Sequence, residues 1–159
     1  MEKHVNNLVT LTWAEVLLGS TVGCMRHISA LKAGKHDAHG AEAGGWNYHI
    51  NGACGEIAVA KHLKCFWGGT INTWKDADLG VRLQIRTRSK DYYELIVRKN
   101  DSSEDHFVLV TGNAPEYVVR GWIVGEDAKK DMWIQEYANR EAAYFVPQRF
   151  LNPMETIRV

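Results

Sequence analysis

Apolar residues recur along this chain with two different periods, and the change from one to the other divides it into a helical first part and a stranded remainder. Val16, Leu17, Met25, Ile28 and Leu31 fall at helical spacing behind Thr12-Trp13-Ala14-Glu15, a capping box in which hydroxyl and carboxylate satisfy the first backbone donors. A helix over 12–33 is predicted, with Gly34 as its stop. Gly19 and Gly23 weaken its middle, so they mark a close approach to another element. A second stripe, Ile50, Ala53, Ile57, Ala60 and Leu63, predicts a helix over 46–64 with Glu56 near the edge of its apolar face. Gly52, Ala53, Gly55 and Ala58 let that helix lie close against a sheet and bring Glu56 to a strand edge. Between the two, the Gly-, Ala- and His-rich run from Gly34 to Gly45 has no period and reads as a mobile loop of the kind that covers a substrate.

From Ile71 onward the period shortens to two. Ile71–Trp74 suggests a short strand, and Val81, Leu83, Ile85 and Thr87 then alternate with Arg82, Gln84, Arg86 and Arg88. One face of that strand is core, and the other is chemistry or solvent. Tyr92–Arg98 alternates in the same way, Phe107–Thr111 is a continuous apolar run suited to a central strand, and Tyr117–Val124 follows with a bend near Gly121. The tail from Glu126 is mixed: a helix is expected near Glu141, then a strand or turn closed by Pro147, then an amphipathic segment. The expected fold is α/β, a mixed central sheet flanked by the two N-terminal helices, in a single domain with a core over about 46–125 and an extension over 126–159.

Composition narrows the partners. Lys plus Arg equals Asp plus Glu at 19 each in 159 residues, so a global basic field does not argue for nucleic acid, and any such case rests on local clusters. Cys24, Cys54 and Cys65 form no CxxC pair and leave one over, which suits a reducing cytoplasm. The first residues lack the apolar run of a signal peptide, and no stretch approaches a membrane span. A chain of this length buries a core without metal or disulfide staples.

The candidate chemistry gathers at Asp76-Ala-Asp78-Leu-Gly-Val-Arg-Leu-Gln84-Ile85-Arg86-Thr-Arg88 together with Glu56. Metal-assisted phosphodiester hydrolysis needs acidic or carbonyl oxygens around a divalent ion, a positioned water and a cation near the phosphate. Asp78, Glu56, Gln84, the Ile85 carbonyl and Arg86 offer such a set. Asp76 competes with Asp78 as the ligand, and Asp78 is favoured by its place where the chain enters the strand. Arg82, Arg88 and Lys90, with Arg98, provide local cations for a nucleic-acid backbone, and Trp74, Tyr92 and Tyr93 are available to stack or pack.

With Gly-Glu56-Ile-Ala-Val-Ala-Lys on a helix, then Asp78, then Gln84-Ile-Arg86 on a strand, the chain resembles the PD-(D/E)XK nuclease superfamily. Asp78-Leu-Gly through Arg86-Thr-Arg88, Phe107-Val-Leu-Val-Thr and Gly121-Trp-Ile-Val-Gly look more narrowly like small phage proteins of that superfamily. The likeness covers about Asn51 to Gly125. It implies a restriction-endonuclease-like core, Mg²⁺- or Mn²⁺-dependent cleavage of DNA, action in a host cytoplasm, and a homodimer as one possible assembly. It also implies that Asp78 is the principal metal ligand, Gln84 and the Ile85 carbonyl are further ligands, and Glu56 is a direct or water-mediated one. Arg86 stands where the family has lysine. Gln84 in place of Glu keeps an oxygen donor but drops a charge, and a guanidinium with pKa above about 12 cannot act as a general base. Arg86 can instead stabilise the transition state by bidentate contact with phosphate oxygens.

Three other readings stand beside this one. A catalytically inactive relative would use the same cleft to bind nucleic acid or a protein. In a plain solvated face, Arg82, Arg86 and Arg88 would pair with neighbouring acids, and the acidic run Asp101, Glu104, Asp105 would be a turn in water. Zinc at His36, His39, His49, Cys54, His62 and Cys65 fits no four-ligand template. His106, beside the apolar run, is a strand-end residue or an aid to proton transfer.

Overall fold

The computed structural model describes residues 7–35, 44–71 and 76–159. The sequence-expected strand 71–74 and most of the loop 34–45, including His36, His39 and Trp74, lie outside these residues. Strand β1 (Leu8–Thr10) leads into helix α1 (Trp13–Lys32), whose Thr12 and Glu15 form the capping box. Glu15 accepts the Thr12 N–H at 2.7 Å, and Thr12 Oγ1 accepts the Glu15 N–H at 3.2 Å. Helix α2 (Gly45–Leu63) ends on Lys64 in the left-handed conformation.

Four strands form the first sheet in the order β1-β5-β4-β2, where β2 is Leu83–Arg88, β4 is His106–Asn113 and β5 is Glu116–Val124. The sheet is mixed, as expected: β2 runs parallel to β4 and the other pairs are antiparallel. The apolar run Phe107–Val110 is wholly buried at its centre. The expected bend in β5 is a bulge, for Leu109 opposes Gly121 while Val110 opposes Val119, leaving Arg120 as the extra residue.

The layers differ from a sheet clasped by two helices. On one face α2 packs, joining Ile57, Ala58 and Val59 to Leu83, Ile85, Val108 and Val110, with Met154 and Ile157 of the tail added to the same cluster. The other face is covered by a second sheet, β3-β7-β6, in which β3 is Leu95–Arg98, β7 is Ala143–Val146 and β6 is Ile134–Gln135. Leu95, Val97, Val146 and Trp133 meet Phe107, Leu109 and Ile123 there. The tail is therefore structural, since β7 lies between β3 and β6. The helix expected near Glu141 does not form, because Arg140 ends a turn and Ala143 is already paired with Arg98 across the second sheet. Helix propensity there yields to burial of Ala143 and Val146.

Helix α1 packs on the outside of α2 rather than on the sheet. Gly19 and Gly23 mark a close approach, as expected: a Cβ at Gly23 would meet the Ile50 backbone, and one at Gly19 would meet Cys54 Sγ at 2.7 Å. The apolar stripe assigned to the core does not all face inward. Gly19, Val22, Gly23 and Ala30 are the buried positions, whereas Leu17, Met25, Ile28 and Leu31 are exposed. Among the described residues no helix is long and apolar enough to cross a membrane.

Candidate functional site

β2 is the edge strand of the first sheet, and one side of its backbone is free of β4. Arg82 accepts the His106 N–H at 2.9 Å, which sets the even-numbered residues of β2 to bond with β4 and turns the odd-numbered N–H and C=O groups to the open edge. Gly80, in the left-handed region at φ +57°, lets the chain fold back there. The Asp78 N–H then donates to the Leu83 carbonyl at 2.8 Å. The same turn lays the Asp78 carboxylate on the Ile85 N–H, with Oδ2 accepting at 2.6 Å. The Ile85 carbonyl points to the same edge, so two oxygen donors from different parts of the chain share it.

Glu56 reaches this place through packing of small residues. A Cβ at Gly55 would collide with the Thr87 side chain, and the resulting close approach of α2 to β2 carries Glu56 beside the strand. Glu56 is 6% exposed, and its charge is held by a fork-to-fork pair with Arg26 of α1, at 2.7 and 3.0 Å. Trp67 Nε1 donates to the same carboxylate at 2.8 Å, and Arg26 Nε is anchored on the Thr70 carbonyl at 2.9 Å. Burial first, and then the Glu56 charge, push the Asp78 carboxyl up to about 7, against the Ile85 N–H, Arg86 and Arg26, which favour its anion. A carboxylate held near another carboxylate at this cost is a place that a cation relieves.

Gln84 and Arg86 lie elsewhere. Leu83, Ile85 and Thr87 face α2, so the side chains between them project from the other face of the strand. Gln84 Nε2 donates to the Asp76 carbonyl and to Asp105 Oδ2, each at 3.2 Å. Arg86 pairs with Asp101 at 2.9 Å and lies over the Phe107 ring, 5.1 Å from its centroid. Asp101 also accepts the Arg98 N–H at 2.7 Å. The acidic turn is therefore the counterpart of the polar face of β2, and Arg82 completes the set with Glu104 at 2.7 Å. Arg88 donates to the Glu94 carbonyl at 2.8 Å and lies 4.2 Å from the centroid of Tyr93. Burial lowers its pKa. Lys90 is exposed in the turn after β2.

No family model, no curated protein and no solved structure matches this chain. The site is thus read on its own geometry. Asp78, the Ile85 backbone and Glu56 come together at the β2 edge, while the side chains of Gln84 and Arg86 are turned to the acidic loop. Asp76 contributes a carbonyl to Gln84. His106 starts β4 and lies 5.0 Å from Trp122, ring to ring. Among the described residues no group of three or more His, Cys, Asp or Glu side chains has the arrangement of a metal cage. The donor chemistry at the edge is nevertheless that of a hard cation: two carboxylates and a carbonyl.

Two residues of the site were not singled out from sequence. Arg26 had a usable signal, because it lies three residues after Gly23 and four before Ala30 on the small-residue face of α1, where an arginine must find a buried acid. Trp67 had none, since the segment after α2 has no period.

Proposed function

We propose that this protein is a Mg²⁺- or Mn²⁺-dependent nuclease that hydrolyses DNA phosphodiester bonds on a restriction-endonuclease-like core, acting in a host cytoplasm. The observation that supports this most is the Asp78–Ile85 edge beside Glu56, where a carboxylate of raised proton affinity and an outward backbone carbonyl adjoin a second, buried acid. Asp78 and the Ile85 carbonyl would hold the ion, with Glu56 facing it directly or through water. The chemistry such an ion supplies is polarisation of the phosphoryl group and activation of water.

The chain's own residues do the rest. Arg26 and Trp67 fix the Glu56 carboxylate in one orientation, and the Ile85 N–H fixes that of Asp78. Arg86, charged at every working pH, serves as a counter-ion to the site's acids and not as a base. Lys90 and Arg82, both exposed, would meet the DNA backbone, while Arg88 is held by the Glu94 carbonyl and the Tyr93 ring.

A second reading is favoured by one specific observation. Both oxygens of Glu56 are occupied by Arg26, and Arg86 is committed to Asp101, as in a cleft that binds nucleic acid or a protein without cutting. Incubating the protein with supercoiled, linear and single-stranded DNA in Mg²⁺, Mn²⁺ or EDTA, alongside Asp78→Ala, separates the two. Metal-dependent cleavage lost in the variant supports the nuclease. Retention of uncut DNA with a steep salt dependence moves the assignment to binding, and the absence of both cleavage and retention overturns both nucleic-acid readings.

A further inference from the structure

The outer face of α1 is unusual for a helix in water. From Trp13 to Leu31 none of its exposed positions carries a charge. Trp13 is 75% exposed, Leu17 69% and Leu31 58%, and Leu18, Met25 and Ile28 lie between them. The ionisable side chains within that span turn away from this face: Glu15 to Lys61 at 2.9 Å, Arg26 to Glu56, and His27 to the Trp46 ring at 4.4 Å between centroids. The arrangement follows from the glycines. Because Gly19 and Gly23 draw α1 onto α2 along a face of small residues, the large apolar side chains are left on the opposite side. A monomer in water gains nothing from that distribution.

We propose that this face of α1 is the interface of a homodimer, in which two copies of the helix lie antiparallel across a two-fold axis near Thr21 and Cys24. Three observations select a second copy of this chain. The six large side chains expose about 700 Å² together, near the roughly 800 Å² per partner of a standard specific interface. The face is self-complementary: the helix spans 20 residues, about 30 Å, and in the antiparallel register that overlaps it fully Leu17 opposes Ile28 and Trp13 opposes Lys32. Charge agrees as well, since Lys32 of one copy comes to the end bearing the Trp13 ring of the other, and the helix dipoles run opposed. The inference is independent of the nuclease reading. It does bear on the same site, because the helix that dimerises is the one that supplies Arg26 to Glu56.

Sedimentation of the full chain from about 1 to 100 μM, a range matched to interfaces of this size, tests the proposal. The expected result is a species of twice the 18.0 kDa chain mass. Leu17→Glu and Ile28→Lys, both at exposed positions, should each weaken the dimer by about 100-fold or more with unchanged far-UV circular dichroism. Mixing the two variants should restore a dimer, because the new carboxylate and ammonium face each other in the antiparallel register. A wild-type protein that stays monomeric at the top of the range overturns the proposal, including one that floats with lipid vesicles. So does a dimer that neither variant disturbs, or failure of the mixed variants to pair.

Discussion

Arg26 of α1 and Glu56 of α2 are joined by two charge-assisted hydrogen bonds of 2.7 and 3.0 Å, and this pair ties the outer helix to the edge of the sheet. Glu56 is buried, so its charge depends on Arg26 and the Trp67 donor for compensation. The pair also sits where α1 has only small residues to bury, so it contributes specificity of helix placement that packing there does not supply.

Removing one partner should cost more than removing both. Arg26→Ala leaves an uncompensated carboxylate indoors and is expected to destabilise the fold by about 3–5 kcal/mol. The double variant Arg26→Met, Glu56→Gln should recover much of that loss. Urea unfolding of the two single variants and the double variant measures the coupling, and strict additivity would count against a compensated pair.

Asp78 gives a pH dependence with a defined sign. Its ordinary value is 3.8 and burial with the Glu56 charge raises it to about 7, so between those values the folded protein holds a proton that the unfolded chain has lost. Its contribution therefore weakens as pH rises through that window. Asp78→Asn, which keeps an oxygen for the Ile85 N–H, should match wild type near pH 4 and exceed it near pH 8 by on the order of 2 kcal/mol. Thermal melts across pH check this, and a variant less stable than wild type at the alkaline end would remove the raised carboxyl from the account.

A divalent ion should narrow that difference. At pH 8, millimolar Mg²⁺ or Mn²⁺ is expected to raise the melting temperature of wild type by a few degrees, an order set by binding of the folded state alone. Asp78→Asn should not respond. An equal response in the two proteins would place the ion elsewhere.

Gly55 fixes how close α2 comes to β2. Gly55→Ala drives a methyl into the Thr87 side chain and should cost about 1–3 kcal/mol despite the better helix propensity of alanine. Adding Thr87→Ala clears the nearest atoms and should return part of it. Stability curves for the pair test the approach directly.

Arg86 and Lys90 should behave differently toward DNA, although both are cations of the β2 region. The guanidinium of Arg86 is committed to Asp101 and Phe107, so Arg86→Ala is expected to lower stability by about 1–2 kcal/mol and to leave the salt slope of DNA binding nearly unchanged. Lys90→Ala should leave stability unchanged and reduce that slope by about 1. Salt-titrated binding of the two variants distinguishes the roles.

What the sequence determined by itself is the part written in short-range pattern. The Thr12–Glu15 capping box, the close approach at Gly19 and Gly23, both helix spans, the alternation of β2 and the central place of Phe107–Val110 all follow from neighbours within a few residues, because propensity, capping and amphipathic period act at that range. Tertiary structure alone decided which side of each pattern faces which partner. Helical spacing marks a stripe without saying that glycines at 19 and 23 will bring the opposite face of α1 inward. Strand alternation separates Gln84 and Arg86 from Ile85 without saying that α2 and Glu56 lie on the Ile85 side and the acidic loop on the other. The helix expected near Glu141 failed for the same reason, since a strand partner at β3, more than 40 residues earlier by chain position, outweighs local preference. Ion pairing and sheet pairing join residues far apart in the chain, and their free energy exists only once burial has brought those residues together.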